Sequence, residues 1–176
     1  MSVVLPMAYD DFVALGESRN EYINGALRVN PSPRRSHQEA SRRIANFLAA
    51  EVPAGFLVSE AWSWKPGADE FIPDVMLVAD TDEDVRYTGL PELVVEILSS
   101  DRSSDLVIKS RKYAEAGLQR YWVVDVPIRT ITVFALGPDG YEERHLLVDH
   151  DSASVDLGPC TANIVPADLI DPPRSH

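Results

Sequence analysis

Apolar residues recur along this chain in two rhythms, one helical and one alternating. After Pro33, the residues Ala40, Ile44, Phe47, Leu48 and Val52 fall at helical spacing. This predicts a first long helix, with Ser36 as its cap and Glu39 completing a capping box. A shorter helical start is expected around 8–15. Between the two, Glu21-Tyr22-Ile23-Asn24-Gly25-Ala26-Leu27 sets Asn-Gly between extended apolar residues, the pattern of a β-hairpin. Residues 56–65 read as one or two strands, Pro66-Gly67-Ala68-Asp69 as a turn, 71–78 as a further strand, and the acidic stretch 80–89 as a loop.

The run Leu93-Val94-Val95-Glu96-Ile97-Leu98 is apolar on both faces, the mark of a strand covered on both sides. Ser103 or Ser104 then caps a helix that runs to Ala116 and stops at Gly117. Three more strands are expected at 121–125, 130–135 and 141–147, the last two joined by Gly137-Pro138-Asp139-Gly140. This order of elements predicts an α/β fold, a mixed sheet flanked by helices. No repeat, low-complexity run or linker divides the chain, so one domain is expected over 1–170, followed by a loose tail at 171–176.

Composition narrows the picture. The 176 residues are 45% hydrophobic and 25% charged, enough for one buried core. No stretch approaches the roughly 18 uninterrupted apolar residues of a membrane span, and the N-terminus lacks the pattern of a signal peptide. A cytoplasmic protein with no membrane partner is the expectation. The single Cys160 excludes an internal disulfide framework, and His37, His145, His150 and His176 are scattered without zinc-ligand spacing. The net charge of −12 opposes binding to nucleic acid. Two basic clusters offset it locally: Arg34, Arg35, Arg42 and Arg43, then Arg102, Lys109, Arg111 and Lys112. A solvated helix face explains either cluster equally well.

Glu96 is the chemical anomaly. Val94 and Leu98 share its face while Val95 and Ile97 cover the other, and an ionised carboxylate in such surroundings needs a cation, a metal or a place at the strand's mouth. Asp74 repeats the pattern, with Ile72 and Met76 on its face. If the two strands are neighbours, a divalent cation between the acids would relieve their repulsion, and hard carboxylate oxygens suit magnesium. The plainer alternative is that Asp74 merely follows Pro73 at a strand entry and Glu96 pairs with an arginine. Lys109 shares a helix face with Asp105 and Tyr113, and its helix begins a few residues after Glu96. The chain contains no Gly-x-Gly-x-x-Gly, no P-loop and no Gly-x-Ser-x-Gly elbow.

Taken in order, Glu21-Tyr22-Ile23-Asn24-Gly25, Pro31-Ser32-Pro33 with His37, Pro73-Asp74-Val75, the strand around Glu96, the series Asp105, Lys109, Tyr113 and Gly117, and Tyr121-Trp122-Val123-Val124-Asp125 resemble the Uma-two family. That family comprises bacterial restriction-endonuclease-like proteins within the PD-(D/E)XK nuclease superfamily. The resemblance runs from Tyr9 to about Leu169. It implies an αβββαβ nuclease core with an N-terminal hairpin and C-terminal strands, in which Asp74 and Glu96 hold magnesium, with manganese as the alternative ion. The usual lysine position two residues after the second acid is Leu98, and the resemblance brings Lys109 from the next helix instead. It also places Glu21 near the same centre and matches His37 to the histidine at the start of the helix. The chain departs from the family pattern at Ala26, Ser100 and Arg120.

Two functions follow as expectations. One is a magnesium-dependent endonuclease that hydrolyses DNA, with Asp74, Glu96, Lys109 and Glu21 as catalytic residues and Arg34, Arg35 and His37 contacting DNA. The other is a catalytically inactive nuclease-fold module with a binding or regulatory role. A homodimer would suit cleavage of two strands, although no residue pattern marks an interface.

Overall fold

Asn24 and Gly25 both adopt left-handed backbone angles, φ 54° and 76°, which a two-residue turn of the hairpin type requires. They join β2 (Glu21–Ile23) to β3 (Ala26–Val29), and β1 (Val3–Pro6) pairs with the other edge of β3. A short helix, α1 (Tyr9–Ala14), links β1 to the hairpin. This computed structural model describes residues 3–16, 19–30, 32–98 and 103–170. The tail at 171–176 and Arg102 lie outside the described residues, as does the side chain of Asp105.

The long helix α2 (Arg35–Glu51) buries Ala40, Ile44, Ala45 and Leu48, the stripe that its sequence spacing predicts. Its cap differs from expectation. Arg34 occupies the N-cap position without a side-chain cap, so Ser36 already sits inside the first turn, too late to cap it. Glu39 does not close a capping box but pairs with Arg35 at 2.7 Å, one turn earlier.

Then follow β4 (Phe56–Glu60), β5 (Ser63–Trp64), β6 (Val75–Ala79), β7 (Arg86–Tyr87), β8 (Leu93–Leu98), α3 (Ser103–Glu115), β9 (Arg120–Asp125), β10 (Thr130–Gly137) and β11 (Gly140–Val148). The chain continues through β12 (Ala153–Asp156), β13 (Thr161–Ile164) and α4 (Pro166–Ile170). Three expectations need correcting. The strand expected at 71–78 begins only at Val75, because Pro73 has no N–H to give a ladder, and Asp74 stands just outside it. The loop expected at 80–89 contains β7, which pairs in parallel with β5. Ser103 and Ser104 belong to the helix rather than preceding it.

The central sheet has six strands in the order β11-β10-β9-β8-β6-β4. All its pairs are antiparallel except β8 with β9. Two parallel neighbours need a crossover, and α3 supplies it. The sheet is therefore mixed and flanked by helices. One face packs Val75, Leu77, Val95, Ile97 and Trp122 against α2 and α4; the other packs Met76, Val94 and Tyr121 beneath Tyr113 of α3, with Trp64 and Phe71. Among the described residues no helix is long and apolar enough to cross a membrane.

Candidate active site

β6 and β8 run antiparallel with Val75 opposite Val95. One step back along that register sets Asp74 opposite Glu96, where β6 has not yet begun. The Asp74 carboxylate fills the gap: its Oδ2 accepts a hydrogen bond from the Ile97 backbone N–H at 2.7 Å. One acid thus comes from β8 and the other from the residue just before the neighbouring β6.

The crossover lays α3 over the face from which Glu96 projects. Lys109 Nζ lies 3.0 Å from Glu96 Oε1 and 2.7 Å from Glu21 Oε1. Lys112, three residues on, turns instead to Asp69 at 2.9 Å. Tyr113, one turn after Lys109, donates its hydroxyl to the same Glu96 oxygen at 2.6 Å. Lys109 and Tyr113 share a face because they are four residues apart. That sequence signal marked the pair, but not Tyr113 as a partner of Glu96.

Glu21 arrives from the small sheet, which the backbone pairs between Tyr22 and Glu70 fasten to the rest of the chain. Its Oε1 also accepts the Ile72 N–H at 2.9 Å, and its Oε2 accepts from Asn30 Nδ2 at 3.0 Å. Asn30 escaped the sequence reading because it is one polar residue in a loop. Glu21, Glu96 and Lys109 are 2%, 5% and 5% exposed, so this is a buried ionic cluster and not a surface salt bridge.

Burial governs its electrostatics. Desolvation pushes the Glu96 carboxyl up to about 7; Lys109 works against this, while Asp74 and Glu21 add to it. Burial alone would lower the Lys109 ammonium, but Glu21 and Glu96 outweigh it and hold Lys109 above the ordinary lysine range. Tyr113 is raised well above its usual value, first by burial and then by the charge of Glu96. Its ring packs against Trp64, Phe71 and Tyr121 at centroid distances of 5.2, 5.1 and 5.6 Å, so apolar matter surrounds the Glu96 side of the cluster.

Glu21 and Glu96 touch the ammonium of Lys109, and Asp74 adds its negative charge nearby; with all three carboxylates ionised, the excess over the ammonium equals the charge of one divalent cation. Among the described residues no three His, Cys, Asp or Glu side chains converge as a ready-made metal cage. Magnesium does not need one: it binds through one or two carboxylates and keeps several waters. The hard oxygens of Asp74 and Glu96 fit that requirement.

The residues expected at a DNA surface separate. Arg34 and Arg35 are exposed at the start of α2. His37 turns inward, 6% exposed, with Nε2 3.2 Å from Asp74 Oδ2. The basic clusters are interrupted: Arg43 donates to the Ile170 carbonyl at 2.8 Å, Arg111 lies 3.7 Å from Glu115, and Lys109 is interior. A groove of about 890 Å³ lies between α3 and the β9 to β11 strands, bordered by Val107, Phe134 and Tyr141. None of Glu21, Asp74, Glu96 and Lys109 lines it.

A family model described as "Uma2: Putative restriction endonuclease" matches residues 9–163. Among solved structures, the chain is similar to a "putative nuclease belonging to DUF820" from Anabaena variabilis, with a TM-score of 0.76 and 19% identity. That similarity covers 94% of this chain and 98% of the other. No curated protein matches the sequence.

Proposed function

The chain belongs to the Uma2 family, and from that premise we propose that it is a divalent-metal-dependent endonuclease that hydrolyses DNA phosphodiester bonds. The observation that carries the reading is the Lys109 ammonium shared by Glu21 and Glu96, with Asp74 beside them at the entry to the neighbouring strand. Asp74 and Glu96 would hold the ion. When bound, such an ion activates water and offsets the charge that grows on a phosphate under attack.

The protein's own groups prepare the site. The Ile97 N–H fixes one oxygen of Asp74, and Tyr113 fixes one oxygen of Glu96, so neither carboxylate turns freely. Lys109 is held charged and oriented by its two acids, and a cation so placed can steer a phosphate or a water molecule. Glu21 keeps Lys109 in place and is itself anchored to the Ile72 backbone and to Asn30.

Supercoiled plasmid incubated with Mg2+ tests the reading. The wild type should nick or linearise it, chelation should stop the reaction, and Asp74→Ala from the same purification should lose at least about a hundredfold of the rate. Equal cleavage by Asp74→Ala, or none by the wild type with any divalent ion, would overturn it. The second reading, a nuclease-fold module that does not cut, is favoured by the charge of −12 and by the acids that neutralise Arg35 and Lys112. Plasmid binding without nicking is its signature.

A further inference from the structure

His37 lies in the first turn of α2, and its side chain is 8% exposed. Both ring nitrogens are buried without a hydrogen-bond partner among the described residues. Nε2 lies 3.2 Å from Asp74 Oδ2, but that oxygen already accepts the Ile97 N–H, and the contact lacks hydrogen-bond geometry. Buried polar nitrogens are almost always satisfied. An imidazole left idle against a carboxylate oxygen therefore implies something that both can bind.

The distance says what. Two donors bound at right angles to one ion, each about 2.1 Å from it, lie about 3 Å apart. The separation of Nε2 and Oδ2 is close to that edge length. Beside the pair lies a cleft of about 40 Å³, bordered by Arg19, Asn30, Pro33, His37, Ile72 and Asp74, large enough for an ion and a water. A carbon-lined void would exclude a cation; this one has nitrogen and oxygen donors at its wall.

We propose that His37 is a metal ligand, joining Asp74 to make a mixed nitrogen and oxygen site that takes a first-row transition ion, such as Mn2+, in preference to Mg2+. Imidazole nitrogen suits first-row transition ions, among which Mn2+ binds most weakly and also accepts carboxylate oxygen, whereas magnesium keeps an all-oxygen shell. The inference rests on the reading that Asp74 binds a divalent cation. It assigns His37 a place inside the centre, not on the DNA surface where the sequence suggested it.

Electron paramagnetic resonance of Mn2+ titrated into metal-free protein tests it without recourse to activity. The wild type should bind Mn2+, and the bound ion should show the electron-spin-echo modulation of a directly coordinated 14N. His37→Gln should lose that modulation and bind Mn2+ at least about tenfold more weakly. Its Mg2+ affinity, read by competition, should change less. The wild-type spectrum needs no variant, so misfolding of His37→Gln, checked by a thermal melt, cannot hide the answer. Mn2+ bound without 14N modulation, with equal affinity in His37→Gln, would overturn the role of His37 and leave the acidic centre standing. No Mn2+ bound by the wild type, or equal binding by Asp74→Asn, would overturn both.

Discussion

Burying an ammonium is costly unless charged partners surround it, and removing one member of a buried ion pair commonly costs about 3–5 kcal/mol. Lys109 is that member for two carboxylates at once. Lys109→Met, measured by urea unfolding in chelator at neutral pH, should lose about that amount. Adding Glu96→Gln should restore part of it, because one of the orphaned charges is gone. Strict additivity of the two changes would show that the groups do not interact. Glu96 also gives the metal-free protein a definite pH response. Its carboxyl is raised to about 7 from 4.5 by burial, so between these values the folded chain keeps a proton that the unfolded chain has released. The stability associated with that proton is fully present below about 4.5 and is lost as pH rises towards 7. Glu96→Gln should remove this slope, gaining on the wild type as pH increases from 5 to 7.5 in chelator. Parallel curves would mean that the burial of Glu96 has no such consequence.

At the scale of elements, the end of α3 sets the position of Tyr113 and so of Glu96. Gly117, at φ 85°, ends the helix; its N–H reaches the Ala114 carbonyl, and the Leu118 N–H reaches that of Tyr113, both at 3.0 Å. This paired closure is a Schellman motif, and its apolar contact is between Leu118 and Tyr113. A Cβ at Gly117 would meet nothing within 4 Å, so the cost of Gly117→Ala is conformational alone. About 1 kcal/mol is expected, which for a chain of this size lowers the melting temperature by roughly 2–4 °C. An unchanged melting temperature would remove the motif from the account. Gly117 was legible in the sequence, as were the bounds of β8 and the apolar stripe of α2, because glycine punctuation and strong periodicity are local signals. The strands β1, β12 and β13 and the helix α4 were not. They are short, and β1 is exposed along its length, so no buried stripe distinguishes it from loop. In the site, Glu96 was legible because a charge in an apolar strand is an anomaly. The contacts of Asn30 with Glu21 and of His37 with Asp74 were not, because they run through ordinary polar side chains that only the assembled fold brings together.

At the scale of the whole molecule, a net charge of −12 opposes the approach to DNA that the proposed function requires. Non-specific affinity for DNA comes from cations that release counterions, and the slope of log affinity against log salt falls by about 0.9 for each phosphate contact removed. Several of the described basic residues are spent on the chain's own acids or carbonyls, as Arg43, Lys109 and Lys112 show. Arg34 and Arg35 are both exposed at the start of α2, where the first N–H groups of the helix favour an anion. Glu39 holds Arg35 only through a surface pair, which salt and a competing phosphate displace readily. The same end of the helix carries His37 inward to Asp74, so a strand lying on the two arginines would pass the mouth of the acidic centre. Replacing both by alanine should therefore weaken DNA binding and lower the salt slope by up to about 2. Uptake of a divalent cation, measured separately, should stay as it is. The comparison is best made in an Asp74→Asn background, where the DNA is not cut. An unchanged slope would move the DNA to another surface, whatever happened to the affinity at a single salt concentration, because only the slope counts the phosphates that these two side chains meet.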